Sequence, residues 1–394
     1  MSTEKPAVVC YAGDDYWHSN PHSRFHFMHA MHRRGYRVLW VNSLGMNMPS
    51  VRRKGFIRKV FQRMKSWSKW LRAAQEDFHV LTPIALPLFG NEYLAKATDR
   101  LIEFQLRLAM RILDIQRPLV FASIPSYASA IVRLPHSGLI YYYSDKYTSY
   151  DDISAQSELE KRDRMLFNAA DAVFCASEMI TEELKGKRSS VHYLPHAVDF
   201  DRFNSGLERC DDIPEDMESI PQPRIGYYGS LAENNDQDMI VHAATEDPTL
   251  QFVLIGKVFG DHSKLQALPN VHFLGFKPYA QIPCYGKYFD VSFMNWKITE
   301  WIRNCSPLKA KEYFSMGLPV VSVRIHELEK CYADIVYFAS TPAEFLAQIK
   351  TALKEDSPER RAERIDRVRV ESWDRRVDQM LECLNAAVEA GAGG

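Results

Sequence analysis

Lys309 and Glu312 stand three residues apart in Ser306-Pro307-Leu308-Lys309-Ala310-Lys311-Glu312, upstream of Gly317, Pro319 and the β-branched pair Val320-Val321. Ser306 is placed to cap a helix, Pro307 suits its first position, and Gly317 with Pro319 ends it before a strand. On such a helix the cation and the carboxylate share a face. The free N–H groups and the dipole at its start favour phosphate, Lys309 adds a point charge, and Glu312 can accept hydrogen bonds from both hydroxyls of a ribose. The spacing therefore suits a nucleoside diphosphate. An ordinary i,i+3 surface ion pair is the other reading of the same residues.

Three further constellations bear on chemistry. Asp145 follows the apolar run Gly138–Tyr143. A carboxylate at a strand end can take a proton from an attacking hydroxyl, or simply cap the next turn. Gly229-Ser230 closes Gly226-Tyr227-Tyr228, where glycine lets a backbone approach a ligand or makes a tight turn. Asp14 and Asp15 follow the first apolar run, and Arg24 and His26 open the next helix, all placed to line a cleft. His18, His22, His26, His29 and His32 cluster at metal-like spacing. Pro21 separates His18 from the helix, and no Glu falls among them to make H-E-x-x-H, so no metal site is expected.

The stretch from Val51 to Arg72 carries nine cations and no anion, with Ile57, Val60, Phe61, Met64, Trp67 and Leu71 at helical spacing. A helix of this kind suits an anionic bilayer surface, with Arg58, Lys59, Arg63 and Lys65 at the headgroups and Ile57, Phe61 and Trp67 in the interface. A solvated basic face over a packed stripe is the alternative. Nucleic acid is not the expected partner, since no recognised module accompanies the charge.

The elements that must position these residues form two α/β halves. With 394 residues, 46% hydrophobic, the chain exceeds one core of ordinary size. Its 49 basic and 50 acidic residues balance to a net −1, which excludes global attraction to nucleic acid or membrane. Seven cysteines without a C-x-x-C pair argue against a disulfide framework or a zinc site, and no leader or spanning segment is visible, so a cytoplasmic setting is expected. Apolar runs at 7–12, 37–41, 119–122, 138–143, 172–175 and 192–194 alternate with helical stretches, including one from Ser23 to Arg34 ended by Gly35. After a polar break from Asp201 to Pro223, read as a linker, the pattern restarts at 224–230, 252–256, 271–275, 291–294 and 319–323. Such alternation predicts parallel sheets covered on both faces.

These motifs together resemble the GT-B glycosyltransferases of bacterial surface-polysaccharide synthesis. Ser306-Pro307-Leu308-Lys309-x-x-Glu312-Tyr313 with Gly317-Leu318-Pro319-Val320-Val321 is similar to their nucleotide-sugar motif. Leu194-Pro195-His196-Ala197-Val198-Asp199 resembles their interdomain segment, with Ala197 for the usual glycine. Ala169–Ser177 resembles the strand before it, and Ser372-Trp373-Asp374 opens a C-terminal helix of the type that crosses back. The resemblance implies two Rossmann-like domains facing across a cleft: an acceptor-binding domain at 1–203 with the C-terminal helix 373–394, and a nucleotide-sugar-binding domain at 204–372.

Retaining members of the broader family-4-like group carry two glutamates separated by seven residues; Glu312 matches the second, but the first falls on Asn304. The likeness is greater to the inverting xanthan-type membrane-associated glucuronosyltransferase, where Asp145 matches the base and Lys309 the diphosphate lysine. That implies an inverting transfer from a nucleoside-diphosphate sugar, expected to be a UDP sugar, to a lipid-linked or cell-surface glycan, without a required metal or other cofactor, at the inner face of the cell membrane. Gly229, Ser230, Ser306 and Pro307 would hold the diphosphate and Glu312 the ribose. Arg303 and Asn304 would meet sugar or phosphate, with Asp14, Asp15, Arg24, His26 and His196 on the acceptor side. The alternatives are a retaining transferase, a nucleotide-sugar epimerase, and a non-catalytic nucleotide-sugar or lipid-binding protein.

Overall fold

A computed structural model describes residues 5–17, 19–42, 70–84, 92–144, 153–205, 208, 210 and 212–392. The chain forms two compact units, Met1–Leu194 with Arg376–Gly394, and Pro195–Arg375.

The first unit is built on eight strands: β1 (Ala7–Tyr11), β2 (Arg37–Val41), β3 (Leu71–Gln75), β4 (Phe78–Leu81), β5 (Leu119–Ala122), β6 (Gly138–Tyr143), β7 (Ala172–Cys175) and β8 (Val191–Tyr193). Their order in the sheet is β3-β4-β2-β1-β5-β6-β7-β8. Every pair is parallel except β3 with β4. Strands β5, β6 and β7 are buried along their whole length, as a sheet with helices on both faces requires. The strand order reverses between β1 and β5, so Gly13 and Asp14 leave the sheet at its switch point. Among the described residues, one charged pair lies inside this unit. Arg162, 6% exposed, donates to both oxygens of Asp99 at 2.9 and 3.0 Å, to Glu158 at 2.9 Å and to the Ser126 carbonyl at 2.7 Å. Breaking such a buried pair costs about 3–5 kcal/mol, so it pins the helix Ile153–Ala169 to the helix Glu92–Ile112.

The expected basic amphipathic helix is corrected at its end. Leu71 and Arg72 belong to β3, which turns back through Glu76-Asp77 and pairs antiparallel with β4, Leu71 opposite Leu81. Asp77 takes φ 56° in that turn, and the Arg72 guanidinium lies 5.1 Å from the Trp17 ring centre. Ile57, Arg58, Lys59, Phe61, Arg63, Lys65 and Trp67 lie outside the described residues.

The second unit holds β9 (Arg224–Tyr228), β10 (Gln251–Ile255), β11 (Val271–Gly275), β12 (Val291–Met294), β13 (Val320–Ser322) and β14 (Val336–Phe338), all parallel in the order β11-β10-β9-β12-β13-β14. Here the switch point falls between β9 and β12. The stretch expected to be a linker is part of this unit. Val198 N–H donates to the Glu371 carbonyl at 2.9 Å, and Phe203, Met217 and Ile220 are buried in its core. Cys210 is joined to Cys284 by a disulfide, against the expectation that the cysteines would form no such bond. The boundary accordingly falls after Leu194 instead of after 203, because apolar side chains spaced through a polar stretch anchor it to the second core. The C-terminal helix Trp373–Ala392 returns to the first unit from Arg376 onward, where Asp378 pairs with Arg34 at 2.7 Å and Val377 and Met380 are buried. Among the described residues no helix is long and apolar enough to cross a membrane.

Candidate functional site

The helix Leu308–Ser315 starts one residue later than expected. Pro307 is its N-cap at φ −76°, ψ 106°, and no side chain caps it. The Pro307 backbone is extended and not helical, so the first helical residue is Leu308; Ser306, 5% exposed, precedes the turn. Among the described residues the first-turn N–H groups therefore have no capping side chain, which is what an anion requires. At the other end Gly317 takes φ +75°, as the sequence predicts.

Lys309 is the second residue of this helix and reaches the end of β9. Its Nζ donates to the Tyr227 hydroxyl at 3.2 Å and lies 4.9 Å from the centre of the Tyr227 ring and 5.2 Å from that of Trp296. Tyr227 passes its own proton toward the Ser230 carbonyl at 3.3 Å. Burial alone would raise the Tyr227 phenol, yet the Lys309 charge and hydrogen bonding by Asn235, Trp296 and Lys309 bring it below its ordinary value. The ammonium is thus held between two aromatic faces at the switch point.

Two glycines make room for it. Gly229 has φ +137°, and a Cβ there would lie 2.2 Å from Lys309 Nζ. Gly256 has φ +150°, and a Cβ there would fall 1.8 Å from the Gly229 carbonyl oxygen. Neither position tolerates a side chain without displacing what it faces.

Glu312 lies behind Lys309 and is 2% exposed. Tyr228 and Tyr279 each donate a hydroxyl to it, at 2.6 Å to Oε2 and 2.6 Å to Oε1. Burial raises this carboxyl, and the two phenol hydrogen bonds oppose the rise. Both tyrosines are pushed well above their ordinary range by burial and by the Glu312 charge, so they remain donors. Each carboxylate oxygen retains a lone pair, but the primary contacts of Glu312 are these tyrosines. Tyr313 completes the cluster, its hydroxyl accepting from Tyr228 N–H at 3.2 Å.

Other candidates are placed as follows. Arg303 is exposed at the end of the helix Glu300–Arg303, while Asn304, 8% exposed, donates its amide to the Glu300 carbonyl at 2.8 Å and so is used in closing that helix. His196 lies in the second unit, its carbonyl accepting from Lys311 and its ring 6.3 Å from Trp373. In the first unit Arg24 pairs with Asp14 at 2.9 Å and donates to the Ser144 hydroxyl at 3.1 Å. The structure thus brings Asp14 and Arg24 to the residue before Asp145, itself outside the described residues. Asp15 accepts from Trp17 N–H at 2.9 Å within its own turn, and His26 is buried with its ring 5.7 Å from Phe25.

Tyr227, Trp296, Tyr228 and Tyr279 were not singled out as site residues in the sequence. Trp296 carried a readable signal, since it follows the apolar run of β12 and marks the strand end beside β9. Tyr279 carried none, because it approaches Glu312 from a separate 3-10 turn.

Residues 222–355 match the family model described as Glycosyl transferases group 1. A protein of Bacillus subtilis (strain 168), provisionally named a teichuronic acid biosynthesis glycosyltransferase, TuaH, is 27% identical over 221 residues, covering 53% of this chain and 55% of that protein. The match therefore spans about half the length of the curated relative. Among solved structures, the chain is similar to sucrose-phosphate synthase of Thermosynechococcus elongatus, with 14% identity, a TM-score of 0.70 and coverage of 98% of this chain and 100% of that one. It is also similar to Anabaena HepE in complex with UDP and glucose, with 14% identity, a TM-score of 0.65 and coverage of 97% and 100%. At these identities the likeness establishes the fold, which is the two-domain GT-B fold.

Proposed function

We propose that this chain is a glycosyltransferase that transfers a sugar from a UDP sugar to a lipid-linked or cell-surface glycan, with inversion at the anomeric carbon. The observation that carries the reading is the Lys309 ammonium, held by Tyr227 and Trp296 over Gly229 at the end of β9, beside a helix start that no side chain caps. Cation and N–H groups there suit the charge that a departing diphosphate develops. The glycosyltransferase family match over residues 222–355 and the UDP complex of a structural neighbour support the donor class. The name of the Bacillus relative supports a surface polysaccharide as product.

In this mechanism the acceptor oxygen attacks the anomeric carbon from the face opposite the diphosphate. Asp145 takes the proton from the acceptor hydroxyl, the bond from anomeric carbon to diphosphate oxygen breaks, and UDP leaves with the electron pair. Lys309 and the first-turn N–H groups of Leu308–Ser315 meet the developing charge, and no resident metal is invoked. Glu312 orders Tyr228 and Tyr279 and offers its remaining lone pairs to the ribose. Arg24, fixed by Asp14, holds the hydroxyl of Ser144, the residue before Asp145 in the sequence. The basic stretch containing Arg58, Lys59, Arg63 and Lys65 supplies peripheral attachment to the anionic inner face of the cell membrane, as in the xanthan-type enzyme it resembles.

The test is a screen of UDP, GDP and dTDP sugars for thermal stabilisation, since a ligand at 100 times its dissociation constant adds about 2.7 kcal/mol. UDP sugars are expected to stabilise the protein, and the anomeric configuration of the product then reports inversion. No stabilisation by any nucleotide sugar overturns the reading.

A further inference from the structure

We propose that the first unit carries a binding site for a phosphate group, separate from the Lys309 site, in a cavity walled by the helices Glu92–Ile112, Ala128–Val132 and Ile153–Ala169. The cavity measures about 320 Å³, within the size range of small-ligand pockets. Arg162 is fixed at its base by Asp99, Glu158 and the Ser126 carbonyl. Lys96 and Arg100 stand one turn apart on one wall, with Arg133 and Lys161 on the others.

The charge balance selects an anion. Among the described residues the cavity is lined by the cations Lys96, Arg100, Arg133, Lys161 and Arg162 and by the anions Asp99 and Glu158, in a chain of net −1. The anions are already committed: Asp99 gives both oxygens to Arg162, Glu158 pairs with its Nε, and Glu103 takes Arg133 and Arg107. Arg100 and Lys161 are exposed at the cavity and have no anionic partner among the described residues. Ser129, whose hydroxyl donates to Met165 Sδ at 3.6 Å, also lines the cavity, and the solvent-shielded hydroxyl of Ser126 has no partner among the described residues.

Arginine and lysine converging on one recess make charge-assisted hydrogen bonds to phosphate oxygens. Ala95 and Met165 leave an apolar side for a short organic group, so the ligand class is a phosphate ester in preference to a bare ion. A soluble glycerol or sugar phosphate and a phospholipid headgroup share that chemistry.

Glycerol 3-phosphate and inorganic phosphate are titrated calorimetrically, at constant ionic strength, into the full chain and into Lys309→Ala, Arg100→Ala/Lys161→Ala and Ser129→Phe. Glycerol 3-phosphate binding is expected to persist in Lys309→Ala, to weaken at least tenfold in the double variant, and to vanish in Ser129→Phe, which fills the cavity without changing its charge. Sedimentation with phosphatidylcholine vesicles, with and without phosphatidylglycerol, separates the sources. A phosphatidylglycerol-dependent component lost in Ser129→Phe assigns a lipid headgroup, whereas soluble phosphate binding without it assigns a soluble ester. Binding that disappears with Lys309→Ala or survives Ser129→Phe overturns the proposal, as does the absence of any heat with either phosphate together with vesicle binding unaffected by Ser129→Phe. UDP affinity, read on the same variants, reports separately on the nucleotide reading.

Discussion

Replacing Gly229 by Ala tests whether Lys309 is placed by the strand end or only lies near it. The new Cβ would stand 2.2 Å from Lys309 Nζ and 2.6 Å from Cε, well inside contact distance. The lysine end is flexible and the backbone is not, so the overlap is relieved by moving the ammonium away from Tyr227 and Trp296. Its charge-assisted contact with a diphosphate is then lost, worth about 1.5–3 kcal/mol, or roughly 10- to 150-fold in the dissociation constant of UDP. The φ of +137° adds a second effect, about 1–3 kcal/mol of lost stability for a residue with a side chain. Lys309→Ala alone should weaken UDP by the same factor while leaving uridine almost unchanged. In the Lys309→Ala background, Gly229→Ala should change UDP affinity by less than about threefold, because the overlapping group is gone, while the stability loss remains. Calorimetric titration with UDP and uridine, together with urea unfolding, separates the two effects. If the two substitutions weaken UDP additively, Gly229 acts through its own backbone and the placement argument fails.

Asp145→Asn should leave UDP affinity nearly intact and lower turnover by roughly two to four orders of magnitude, and near-normal turnover would remove Asp145 as the base. Glu312→Ala should destabilise the unliganded protein by roughly 2–5 kcal/mol in urea, since it strips the acceptor from the hydroxyls of Tyr228 and Tyr279. A loss confined to UDP affinity would show that Glu312 is only a ligand contact. Tyr227 predicts a pH dependence: its phenol sits below the ordinary value of 10 in the folded state, so the folded protein releases that proton first as pH rises. Wild type should therefore gain stability over Tyr227→Phe between the lowered value and pH 10, and show no such pH-dependent gain near pH 7. Urea unfolding at pH 7.5 and 9.5 that shows a constant difference would refute the Lys309–Tyr227 coupling.

The parts of this fold that local pattern could convey are those set by neighbours in the chain. Apolar runs at 119–122, 138–143 and 172–175 are buried on both faces, and continuous hydrophobicity is the signature of such strands. Lys309 and Glu312 sit on one helix, as the sequence predicts, though their primary contacts differ: Tyr227 and Trp296 for Lys309, Tyr228 and Tyr279 for Glu312. The hairpin of β3 and β4 was obscured because Leu71-Arg72-Ala73-Ala74-Gln75 lacks β-branched residues and continues a basic helical pattern; only pairing with Phe78–Leu81 makes it a strand. The Cys210–Cys284 bond spans 74 residues, and composition alone gives no pairing at that distance.

The linker reading failed for a more general reason. From Asp201 to Pro223 the average composition is polar, yet Phe203, Met217 and Ile220 recur through it, each buried in the second core, and Cys210 is tied down by its bond to Cys284. A polar average therefore does not mark a free connection when apolar residues recur at intervals that can each reach one surface. The same logic applies to Lys309. Its helix and strand end are local, but its orientation depends on Tyr227 and Trp296, from the ends of the two strands that flank the switch point. Lys309 can thus be located from its own helix, whereas the aromatic faces that hold its charge emerge only when β9 and β12 are paired.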